Sequence, residues 1–71
     1  MTDPKFLNNL GARIKELRIK KNLTQIDLAA QCNFEKASMS RIESGKTNIT
    51  ILTLRKISNA MDIEIIEFFR Q

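Results

Sequence analysis

Lys36, Ala37, Ser40, Arg41 and Ser44 share a spacing that gathers them on one side of an α-helix turning about 100° per residue. All five are small, polar or cationic, whereas the opposite side carries Ser38, Met39 and Ile42. Such a division suits recognition rather than bond-making. Short side chains at Ala37, Ser40 and Ser44 let a helix backbone sink into a DNA major groove, about 12 Å wide. There Arg41 and Lys36 can donate to base edges, and the Ala37 methyl can meet a thymine methyl. Thr24 adds a second ingredient. Its hydroxyl can cap a helix, and the free N–H groups of that helix start can face an anion.

Catalytic chemistry is poorly provided for. The 71 residues contain no histidine and a single cysteine, Cys32, so a zinc site, an intrachain disulfide and a base-activated nucleophile all lack their parts. No Gly-rich phosphate cradle is present. No cofactor or metal is expected, and the chain is not expected to be an enzyme. Cys32 reads as core filler on the apolar side of its helix. Twelve Lys plus Arg against eight Asp plus Glu leave a net charge of +4. Residues 1–46 carry nine basic and five acidic residues, 9 − 5 = +4, while residues 47–71 carry three of each. A cationic surface confined to one part of a small domain is the footprint expected for a polyanion. The N-terminus has no apolar signal-like segment, and no run approaches a membrane span, so a cytoplasmic setting with no membrane partner is expected.

These groups need elements to position them. With 42% hydrophobic residues, two Gly and one Pro, the sequence predicts an all-α fold: a single domain over residues 1–71 built from five short helices. The first spans about Pro4 to Lys21, capped by Asp3, with Phe6, Leu7, Leu10, Ile14 and Leu17 on one buried stripe. The second covers Gln25 to Cys32 behind a Thr24/Asp27 capping box, its apolar positions being Ile26, Leu28, Ala29 and Cys32, and stops at Asn33. The third runs from about Lys36 to Ser44 and ends at Gly45. The fourth covers Ile51 to Ala60 after Thr50, with Leu54, Ile57 and Met61 inward and Asp62 as its stop. The fifth, about Glu64 to Arg70, carries Ile65, Ile66, Phe68 and Phe69.

In their joint order, Leu17-Arg18, Leu23-Thr24-Gln25, Leu28-Ala29 and Ser40-Arg41-Ile42-Glu43-Ser44-Gly45-Lys46 resemble the Cro/phage-repressor (XRE) family of helix-turn-helix domains, from about Leu10 to Phe69. The family usually has Gly at the positions of Asn33 and Asp62, and both substitutes tolerate positive φ. Glu35 stands where the family usually caps the recognition helix with Ser or Thr; it favours the helix dipole, yet its charge would repel a nearby phosphate. The resemblance implies that helices two and three form the helix-turn-helix, with helix three reading the groove. It also implies phosphate contacts by Gln25, Lys46 and Asn48, and an internal ion pair between Arg18 and Glu43.

The function expected is sequence-specific binding of double-stranded DNA at a pseudo-palindromic operator, as a homodimeric repressor or autoregulator. With no ligand domain in view, control by concentration alone is expected, as in restriction-modification controllers. Ile65, Phe68 and Phe69 suffice to seal the fifth helix, and Ile66 lies about 100° from Ile65. That apolar surface exceeds one packing face, so Ile63, Ile66 and Phe69 are assigned to the dimer interface. The competing expectation is a protein-interaction module, such as an antitoxin or a bridging factor, which the apolar C-terminus would also suit.

Overall fold

The computed structural model describes residues 3–70. Among them, α1 is Pro4–Lys20, α2 Gln25–Gln31, α3 Lys36–Glu43 and α4 Ile51–Ala60, followed by a 3-10 segment at Ile65–Phe69. Local chemistry sets the helix starts. Asp3 Oδ1 accepts from the backbone N–H groups of Lys5 and Phe6 at 3.1 and 3.2 Å, and Thr50 caps α4 through the Thr53 N–H. The expected capping box is formed: Thr24 Oγ1 accepts from Asp27 N–H while Asp27 Oδ2 accepts from Thr24 N–H, both at 3.0 Å. Hydrogen bonding to the carboxylate from the Thr24 backbone N–H, and then from its hydroxyl, holds the Asp27 carboxyl below its ordinary range.

Every described α-helix ends alike. Asn22, Asn33, Gly45 and Asp62 take φ between 57° and 73°. In each case the next residue donates back to the carbonyl five positions earlier: Leu23 to Arg18, Phe34 to Ala29, Lys46 to Arg41 and Ile63 to Ser58. This is the Schellman closure, which satisfies carbonyls that a helix end leaves orphaned. Leu23, Phe34 and Ile63 then fold their side chains against the core. Lys46, in the equivalent place after α3, is exposed.

The core collects Leu10, Ile14 and Leu17 from α1, Leu28, Ala29 and Cys32 from α2, Met39 and Ile42 from α3, Leu54, Ile57 and Met61 from α4, and Phe68. Burying one such Ile, Leu or Met side chain contributes about 1.5–3 kcal/mol. Gly11 lets α1 lie directly on α3, because a Cβ there would stand 2.5 Å from the carbonyl oxygens of Ile42 and Glu43.

Four expectations are corrected. The fifth helix is not an α-helix but the five-residue 3-10 segment. So short a piece scarcely repays α-helix nucleation, and the Glu67 carbonyl is occupied instead by Arg13 Nε at 2.9 Å. Phe6 does not join the buried stripe: it is 52% exposed and stacks on Phe69 at 6.4 Å between ring centroids. Phe69 accordingly does not seal the core as Phe68 does. Ile26 is 61% exposed, since Leu28 and Ala29 take the inward face of α2.

Candidate nucleic-acid interface

Two short helices joined by a tight turn carry the candidate surface. Cys32 closes α2, Asn33 reverses the chain, Phe34 anchors the turn on the core, and α3 begins at Lys36. Glu35 makes no side-chain cap among the described residues, so α3 depends on packing more than on its own start. Met39 is fully buried and Ile42 nearly so, pressing one side of the helix inward. Lys36, Ala37, Ser40, Arg41 and Ser44 all face outward and exposed. Ser44 Oγ donates only to the Arg41 carbonyl, at 3.2 Å, leaving the guanidinium unengaged by it.

Behind that face lies an ion pair that braces three helices. Arg18 Nε donates to Glu43 Oε2 at 2.6 Å, and Nη2 to Oε1 at 3.2 Å. Arg18 Nη1 donates to the Leu23 carbonyl in the turn after α1 at 2.7 Å. Both side chains are over nine-tenths buried, 9% and 3% exposed, so the Arg18 charge is directed inward rather than toward a ligand.

The remaining expected positions are placed as follows. Thr24 caps α2 with an exposed side chain. Gln25 is half-buried, and its Nε2 donates to Glu43 Oε1 at 3.0 Å, a link the sequence did not reveal. Thr24 and Gln25 therefore sit beside the last turn of α3, at the end where Ser44 and Lys46 emerge. Asn48 is exposed in the loop to α4, lining with Arg41, Thr47 and Thr50 an open cleft beneath the end of α3. Ile66 and Phe69 are 53% and 47% exposed at the opposite end of the chain, whereas Ile63 is half-buried against the core. Gly11 was also missed; a glycine inside a strongly periodic helix was the available signal, because it forfeits about 1 kcal/mol unless something packs closely there. Burial pushes the Cys32 thiol up, with Lys56 drawing it partly back, consistent with an inert core cysteine.

A short helix with a small, cationic outer face, joined by a tight turn to a capped helix and braced from behind by a buried ion pair, defines a helix-turn-helix domain. The chain belongs to the family described as Helix-turn-helix (HTH_3), whose model matches residues 14–68. It is 38% identical over 60 residues to the control protein C.MunI of a Mycoplasma species, covering 83% of this chain and 81% of that protein. It is 32% identical to the immunity repressor of Bacillus phage phi105, covering 79% of this chain but only 39% of the repressor. Among solved structures, the restriction-modification controller C.AhdI from Aeromonas hydrophila superimposes with a TM-score of 0.89 at 32% identity, over 92% of this chain and 98% of that one. The chain is a DNA-binding regulator of transcription and not an enzyme. No helix of the described residues is long and apolar enough to cross a membrane.

Proposed function

We propose that the protein is a sequence-specific repressor or autoregulator that binds a pseudo-palindromic operator as a homodimer, with α3 in the major groove. The observation that carries this reading is the two-sidedness of α3. Its inward residues are buried, while Lys36, Ala37, Ser40, Arg41 and Ser44 are all exposed and short or cationic. Lys36, Ala37 and Arg41 read base edges. Exposed Thr24 and half-buried Gln25 at the start of α2, together with Lys46 and Asn48, contact phosphates and fix the register. Lys46 supports this division, since it places a cation where the other three described helix ends place an apolar anchor. The similarity to proteins named as control proteins, and to a solved restriction-modification controller, favours regulation through the protein's own concentration.

Selection of bound duplexes from a random pool, followed by two substitutions, tests this. Arg41→Ala should weaken the selected site and relax preference at one base pair per half-site, by about 1–3 kcal/mol, while affecting mixed-sequence DNA less. Lys46→Ala should weaken all duplexes alike and lower the slope of log K against log salt by about 0.9 per contact, so about 1.8 per dimer. Equal losses on both kinds of DNA for Arg41→Ala would make Arg41 a phosphate clamp. If neither substitution changes binding, the outer face of α3 is not a reading surface.

A further inference from the structure

Gln25 begins α2 at the protein surface, yet its side chain turns back to a buried carboxylate. Its Nε2 donates to Glu43 Oε1 at 3.0 Å, the same oxygen that accepts from Arg18 Nη2 at 3.2 Å. A carboxylate can only accept, so the Gln25 amide cannot present its oxygen to Glu43 without setting two acceptors against each other. The orientation of an amide that would otherwise turn freely is thereby fixed. Its Nε2 retains one further N–H, and its oxygen is an acceptor. Toward a phosphate, which also only accepts, the N–H is the useful group. The Glu43 charge would oppose a phosphate nearby, but Arg18 neutralises it through two hydrogen bonds within the core.

We propose that Glu43 is a positioning residue for DNA binding: it orients the Gln25 amide so that one N–H is available to a backbone phosphate at the start of α2. The inference rests on the DNA-binding reading above and adds that a core ion pair and an outer contact are energetically coupled. A side chain already ordered in the free protein loses less freedom when the phosphate arrives. Replacing the Glu43 carboxylate by an amide introduces donors beside Arg18 and Gln25, and the Gln25 amide can then turn either end outward.

The test is a double-mutant cycle on DNA affinity at one salt concentration. Wild type, Gln25→Ala, Glu43→Gln and the double variant are compared on a duplex selected by the wild-type protein and on a mixed-sequence duplex. Gln25→Ala should weaken binding about tenfold per half-site in the wild-type background, the effect of one hydrogen bond to a charged group, so about a hundredfold per dimer, and equally on both duplexes. In the Glu43→Gln background the same change should cost less than about threefold per half-site. Equal factors in both backgrounds overturn the coupling while leaving the DNA-binding reading intact. No effect of Gln25→Ala, or a loss confined to the selected duplex, also overturns it, the latter by making Gln25 a reader of bases. Failure of the wild-type protein to bind any duplex overturns both. Because Glu43→Gln can compromise folding, a second measurement uses the free wild-type protein. One Gln25 side-chain amide proton should exchange with water about tenfold more slowly than those of exposed Gln31, and equal rates overturn the proposal.

Discussion

At the residue scale, the Arg18–Glu43 pair is a charge spent entirely inside the protein. Two of the Arg18 nitrogens face Glu43 and the third faces the Leu23 carbonyl. Among the described residues no deeply buried side-chain nitrogen or oxygen lacks a hydrogen-bond partner. Removing one partner of such a pair leaves the other's charge uncompensated, which costs about 3–5 kcal/mol. For a small domain that is a large fraction of a total near 5–15 kcal/mol. Glu43→Gln should therefore lower the urea midpoint of unfolding sharply, and an unchanged midpoint would show the pair to be energetically idle. The pairing of Arg18 with Glu43 was legible through the family resemblance. The Gln25 link was not, because side-chain direction at the first residue of a helix depends on what the neighbouring helix offers, and spacing carries no record of that.

At the scale of elements, the sequence was most readable where helices stop. Asn33, Gly45 and Asp62 announced themselves as residues tolerant of positive φ placed after an apolar period. Asn22 did the same work unnoticed, because it follows Lys20 and Lys21 and reads as the tail of a polar run. The last element was misjudged for a different reason: Ile65, Ile66, Phe68 and Phe69 fit a helical period, but five residues cannot distinguish an α-turn from a 3-10 turn. The Arg18–Glu43 pair already tied α1 to α3, but how closely the two helices approach at Gly11 went unread. Gly11→Ala gains about 1 kcal/mol of helix propensity, yet it drives a methyl group into two backbone carbonyls that cannot rotate away. The clash should win, with a net loss of about 1–3 kcal/mol from overpacking. Thermal unfolding of the variant measures it; a raised midpoint would mean that the two helices stand further apart.

At the scale of the whole molecule, three of the exposed apolar residues stand where α1 meets the 3-10 segment. Ile66 and Phe69, with Phe6 stacked on Phe69, form an outward patch at the junction of the chain's two ends. We expect a second copy to cover it, and Ile63, half-buried against its own core, to contribute only its edge. A dimer that reads a pseudo-palindrome must set its two copies of α3 about one DNA turn apart, about 34 Å. Ile66→Glu should leave the fold intact, because that side chain is 53% exposed. It should raise the dimer dissociation constant by at least about tenfold, the effect of burying a charge in an apolar contact. Sedimentation equilibrium decides between them, and a wild-type protein that stays monomeric at high micromolar concentration, with and without DNA, would remove the dimer. The exposure of all five outward residues of α3 has one more consequence. None of Lys36, Ala37, Ser40, Arg41 and Ser44 belongs to the core cluster, so under the proposed function the address is written on a different set of atoms from the chassis that displays it. Such a chain can change its target one side chain at a time without passing through an unfolded ancestor. Two copies of its gene in one cell could drift to separate operators while remaining, in every buried residue, the same protein.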